Sequence, residues 1–341
     1  MSCVSESRLP KRGSAARSGG YEMTRLGASA RLTRGIAGFA ALLLSVSSAS
    51  ADTFQIDIVN NCATPVWVRG QGNGNPLENV ALSAKGSASA KTTYTVALPF
   101  SSGNIFGCWT DKANSIAVGD TWDLEKYCGM AEMSINAGKA GPNIDISFVD
   151  ILTMSMRIEI TGADHCNAGG SAVLSSECFQ KTNKFALADA QKSCPTTTEG
   201  DTVGCWGAVK YCDPDPNAAP GGKPDSDFCK QLDAVVKGCG SVDPGCKPSA
   251  DDLKHPTYAV YGCRGFFSTE AGRTYCGEIN RGTFGNKEAA YTKAPFNTYA
   301  QHVHAVAGNI YAFPYDDVGN QSGDVGAAKG DGMKITYCPD N

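Results

Sequence analysis

Glu132, Asp145 and Asp150 stand close together in a stretch, Met130 to Asp150, that otherwise reads as buried strand. Met133, Ile135, Ile144, Ile146 and Phe148 ask for a core, and no Lys or Arg adjoins the three acids. Carboxyls crowded into one site can do acid–base chemistry. Each disfavours the charge of the next, so one pKa rises and a proton donor is left beside a base. Spread over a solvated sheet face, the same residues would do nothing. Strand parity separates the two cases. In "IDISFVD", Asp145 shares a face with Ser147 and Val149, whereas Asp150 falls on the other. All three acids meet only if that strand ends or bulges before Asp150.

Other constellations are weaker. His302 and His304 sit two apart in a helical pattern, where side chains diverge, so they read as packing or surface residues rather than a metal pair. No Gly-x-Ser-x-Gly elbow, phosphate loop or His-Glu-x-x-His occurs. No metal and no cofactor is expected.

The elements that would position the acids follow from the chain as a whole. It has 341 residues, 39 Gly and 16 Pro, the punctuation of an all-β chain with many turns. Residues 1–51 read as a signal peptide with an N-terminal extension. A basic start (Arg25, Arg31, Arg34) precedes an apolar run from Ile36 to Val46 and a small-residue site, Ala49-Ser50-Ala51; Met23 is a candidate initiator. Seven of the 30 basic and two of the 34 acidic residues lie there, leaving 23 against 32, a net charge of −9. Phosphate binding needs basic surface, so nucleic acid is excluded as a partner. No run is long enough for a membrane-spanning helix. Without Cys3 the 15 cysteines become 14, with no Cys-x-x-Cys pair. In an exported chain that implies a disulfide framework of up to seven bridges.

"FQIDIVN", "KTTYTVAL" and "TMSMRIEIT" alternate as half-buried strands, with "GQGNGNP" as a turn, which suggests a sandwich or flattened barrel. Residues 52–165 and 295–341 make up this β domain. Residues 166–294 form a cysteine-rich subdomain that buries little and is held by bridges. Helices are expected over Lys184–Ser193, over Ser226–Lys237 with Ser226 as cap, and from Pro295 to Gly308. Cys338 is expected to pair with Cys62, tying the two chain ends together; Cys108 and Cys128 are expected in bridges too.

Several stretches, taken in order, resemble the thaumatin-like family of secreted, disulfide-rich proteins. They are "FQIDIVNNCATPVWV", "GNIFGCWTD", "AEMSIN" with "NIDISFVD", "IYAFPYDD" and "ITYCP". The resemblance implies a flattened antiparallel β-sandwich, a disulfide-rich loop and helix subdomain, and an acidic cleft between them. Glu132, Asp145 and Asp150 fall on three of the cleft acids. Asn104 stands where the family has Arg, and a third Asp has only Asp225 or Asp227 as candidates. Losing the Arg should leave the cluster more easily protonated. The implied function is binding of β-1,3-glucan or a similar wall polysaccharide, or weak endo-β-1,3-glucanase action. Glu132 would be the acid, Asp145 its partner, and Asp150 and Asn104 substrate-binding residues. The alternative is a non-enzymatic defence or interaction protein, an enzyme inhibitor or antifungal wall- or membrane-disturbing factor. Either would be a secreted, extracellular monomer, or periplasmic in a bacterium.

Overall fold

The computed structural model describes residues 52–116, 124–163, 165–168, 171–173, 178–185, 205–212, 224–284, 298–317 and 324–340. The leader expected over 1–51 lies outside them, as does most of the helix expected over Lys184–Ser193.

The described chain is mostly β. Its strands are β1 (Thr53–Asn60), β2 (Val66–Gly72), β3 (Asn75–Pro76), β4 (Val80–Leu82), β5 (Lys91–Ala97), β6 (Phe100–Cys108), β7 (Cys128–Ile135) and β8 (Asn143–Ser147). Then come β9 (Ile151–Leu152), β10 (Met156–Thr161), β11 (Cys166–Ala168), β12 (Ser171–Val173), β13 (Cys178–Lys181), β14 (Cys205–Trp206), β15 (Val325–Ala327) and β16 (Gly332–Tyr337). One sheet runs β13-β10-β16-β1-β5. The second runs β12-β11-β15-β8-β7-β6-β2-β3, with β4 also on β2, and β9 pairs with β14 in a small ladder. The expectation of an antiparallel sandwich needs one correction, because β1 and β16 are parallel neighbours.

Alternation explains the core. Phe54, Ile56 and Ile58 of β1, Met156 and Ile158 of β10, and Ala131, Ile144 and Ile146 of β7 and β8 are fully buried in one cluster between the sheets. Fully burying such a side chain is worth about 1.5–3 kcal/mol. The turn expected over Gly70–Pro76 is shorter. Strands β2 and β3 pair up to Gly72 and Asn75, and Asn73-Gly74 alone turns the chain with positive φ at both residues. Asn-Gly favours such a turn because its backbone matches strand twist.

The expectation of a poorly packed cysteine-rich region also needs correction. Trp206, Val236, Val260, Tyr261, Phe267 and Ile279 are almost wholly buried, and most of them belong to the same cluster as the sheet core. They come from the pair β9–β14, from helices Asp227–Val242, Pro256–Tyr261 and Glu270–Arg281, and from the short 3-10 helix Gly265–Ser268 that carries Phe267. Ser226 caps the first by accepting from the Cys229 N–H at 3.3 Å. A further helix, Thr298–Ala307, closes at Gly308, whose φ of 87° suits glycine. Residues 166–181 add strands to both sheets, so the sheets extend past position 165.

Disulfides join Cys62–Cys338, Cys108–Cys128, Cys166–Cys178, Cys212–Cys229, Cys239–Cys246 and Cys263–Cys276; Cys205 is bridged as well. Cys166–Cys178 fastens β11 of one sheet to β13 of the other. Cys108 and Cys128 face each other directly across β6 and β7.

Candidate active site

Strands β2, β6, β7 and β8 carry one polar row across the second sheet. Gln71 is the Cα partner of Asn104, Asn104 of Glu132, and Glu132 of Asp145. Alternation turns Ala131, Met133, Ile144 and Ile146 into the core, so the row lies on the opposite face. Directly opposed residues have Cβ atoms about 4.5–5.5 Å apart. Glu132 and Asp145 are therefore immediate neighbours on one face, and Asn104 flanks Glu132. Strand β8 ends at Ser147, so its alternation stops before Asp150. Asp150 thereby escapes the parity that would have sent it into the core, and Glu132 is among the charges acting on it.

The surroundings set the protonation. Burial is the main force raising the Glu132 carboxyl; a hydrogen bond from the Ser147 side chain opposes it, and Glu125 adds to it. Asp145 is raised well above the aspartate range by burial and then by Glu132, Asp324 and Asp317. Asp150 is pushed up to about 7 by burial and Glu125, with Lys210 pulling it back. Crowded, half-buried carboxylates cannot all ionise, so the Glu132–Asp145 pair retains a proton that isolated acids would lose.

Several members of this cluster escaped the sequence reading. Lys210 is fully buried and lies 3.0 Å from Glu125 and 3.7 Å from Asp150. A cation is thus present although Asn104 occupies the expected Arg position. Tyr311 is half-buried beside Asp145, Asp317 and Asp324. It is held there by the Phe148 N–H bonding its carbonyl at 2.8 Å. The next turn is anchored by Asp316, fully buried, which takes His304 Nε2 at 2.6 Å and the Ala312 N–H at 3.1 Å. His304 is thereby a packing residue, on the helix expected for it. The candidates Asp225 and Asp227 are exposed at the start of helix Asp227–Val242, and neither is among the charges acting on Glu132, Asp145 or Asp150. A separate cavity of about 320 Å³, lined by Asp251, Asp252, His255 and Arg264, contains none of the clustered acids.

A stability prediction follows. A carboxyl raised in the folded state holds a proton that the unfolded chain releases above pH ~4, so it destabilises the fold as pH rises past that point. Asp145→Asn should therefore raise Tm at pH 7. In a thermal melt series the gain should shrink towards pH 4; a gain that does not depend on pH would sink the assignment.

The family model described as "Beta-1,3-glucanase", of glycoside hydrolase family 64, matches residues 247–337. That span carries Tyr311, Asp316, Asp317 and Asp324 but not Glu132 or Asp145. Among solved structures, a laminaripentaose-producing β-1,3-glucanase in complex with laminaritetraose is similar at 15% identity and a TM-score of 0.50, over 83% of this chain and 98% of that one. A β-1,3-glucanase domain of the same hydrolase family from Clostridium beijerinckii is similar at 13% identity and a TM-score of 0.48, over 84% and 98%. At such identity the likeness is one of fold. No curated protein matches in sequence. These findings overturn the resemblance to thaumatin-like proteins: the family model that matches part of the chain is that of a β-1,3-glucanase, and the fold is shared with a β-1,3-glucanase. The motifs behind that resemblance were short strand and turn runs around bridged cysteines, such as "FQIDIVNNC" and "ITYC". Any disulfide-tied β fold can reuse them, because strand alternation and a buried half-cystine impose the same residue types.

Proposed function

We propose that the chain is an exported glycoside hydrolase that cleaves β-1,3-glucan, with Glu132 and Asp145 as its catalytic pair. The observation that carries this reading is the register of β7 and β8. It sets two half-buried carboxyls side by side on one face, with burial and their neighbours favouring retention of a proton. Glycoside cleavage needs that combination. One carboxyl protonates the departing glycosidic oxygen, and the other either deprotonates the attacking water or attacks the sugar itself. The family model and the shared fold point to β-1,3-glucan as the polymer. Asp150 and Asn104 flank the pair and would bind sugar hydroxyls, and Tyr311 offers a ring for stacking on a pyranose. The six described bridges fit an oxidising compartment and support export.

The test is release of soluble oligosaccharides from a linear β-1,3-glucan, with a β-1,4-glucan as control. Release from the first alone is expected; release from neither defeats the proposal. A substrate with a low-pKa leaving group then assigns the roles, because it needs no protonation on departure. Rescue of Glu132→Gln keeps Glu132 as the acid, whereas rescue of Asp145→Asn transfers that role to Asp145.

A further inference from the structure

We propose that Lys210 is a positioning residue of this site, a buried ammonium that holds the Asp150 and Glu125 carboxylates in place beside the catalytic pair. The proposal rests on the catalytic reading above and adds a residue that reaches no substrate.

The geometry begins with the backbone. Strand β9 follows Asp150 immediately, and strand β14 precedes Gly207. The two pair through Leu152 with Cys205 and Ile151 with Trp206. The Gly207 N–H then donates to the Asp150 carbonyl at 2.5 Å. A Cβ at Gly207 would stand 2.2 Å from the Val149 carbonyl oxygen, so only glycine permits this approach. The next turn of chain, Ala208–Tyr211, therefore arrives against Asp150 in a fixed orientation, and Lys210 is its charged residue. The pairing is walled by Ile151 and Trp206, both almost fully buried, with Tyr127 and Tyr211 packed against them.

A lysine with no exposed side chain is costly unless paired. Here the ammonium lies 3.0 Å from Glu125 and 3.7 Å from Asp150, each of which keeps a fifth or less of its side chain exposed. The charged groups acting on Lys210 are Asp150, Glu125 and Lys126, while those acting on Asp150 are Glu125, Lys210 and Glu132. Lys210 is thus a cation set against Glu125, whose charge acts on Glu132, and against Asp150, on which Glu132 acts in turn. Burial lowers its own pKa, and the two carboxylates counteract that. A simple space-filling role would need neither the charge nor the two-sided pairing.

The test compares Lys210→Met and Lys210→Arg with the wild type in two readouts. One is the titration of the Asp150 carboxyl by 13C NMR, and the other is the pH profile of kcat/KM on β-1,3-glucan. An opposite charge this close lowers a carboxyl pKa by about 1–3 units. Lys210→Met should therefore move the Asp150 titration up by about one unit or more and carry the acidic limb of the profile with it, while Lys210→Arg stays near the wild type. A folded Lys210→Met protein in which Asp150 titrates as before would overturn the proposal. If Lys210→Met does not fold, the double variant Lys210→Met/Asp150→Asn decides. Recovered folding shows that Lys210 is there for Asp150, and no recovery reduces it to packing. A wild type that cleaves no glucan would refute the function while leaving the substrate-free titration as the test of Lys210.

Discussion

Glu132→Gln and Asp145→Asn should each lower kcat on β-1,3-glucan by about 10²- to 10⁴-fold, the usual contribution of a positioned acid or base. Both replacements keep size and hydrogen-bonding shape, so retention on insoluble glucan and KM should change little. A fall in kcat at constant KM marks an interaction made in the transition state alone. The effects should not add. The two carboxyls work as one unit, so the double variant should be little worse than the weaker single. Asn104→Ala is the contrasting case. It is the Cα partner of Glu132 on the row yet cannot exchange a proton, so its loss should raise KM more than it lowers kcat. Steady-state kinetics on a soluble β-1,3-oligosaccharide check all of this. Near-wild-type kcat in either carboxamide variant would remove the pair from the mechanism.

The parts of the site legible in the sequence were those that strand alternation controls. "AEMSIN" alternates, so Glu132 had to oppose Ala131 and Met133, and "IDIS" did the same for Asp145 against Ile144 and Ile146. What alternation cannot give is register. The pairing of residue 132 with residue 145 depends on the connection through Asn136–Pro142, where Gly138 and Gly141 take positive φ and the Asn136 N–H bonds the Ala140 carbonyl. One residue more or less in that turn would shift the pairing of the two acids. Lys210 and Glu125 were illegible for a different reason. Lys210 lies 60 residues from Asp150 and meets it through the β9–β14 ladder and a glycine contact that no local pattern announces, while Glu125 comes from a separate segment before β7. The cysteine-rich region misled in the opposite sense. Its Pro, Gly and Asp runs drew the eye, whereas the short helices between them carry Val236, Val260 and Ile279 into the common core.

Removing the Cys62–Cys338 bridge as Cys62→Ser/Cys338→Ser should cost more stability than removing any other described bridge. The bond spans 276 residues, against 7 for Cys239–Cys246. In the chain-entropy model the closed loop sets the gain, about 5.6 kcal/mol for the first and about 2.4 kcal/mol for the second. The other bridges shorten the effective loop, but the dependence is logarithmic and the order survives. Structure adds to the entropic term. The bond sits where β1 and β16 run parallel, a pairing that no hairpin can nucleate because its strands come from the two ends of the described chain. Asn60 completes the anchor, accepting the Cys62 N–H at 2.8 Å and donating to the Thr64 and Ser83 carbonyls. Strands β1 and β16 belong to the sheet opposite the acidic row, so the folded variant should keep its kcat at 25 °C while its guanidinium midpoint falls. Equal losses for the two double variants would mean that strand pairing, rather than the bridge, holds the chain ends together.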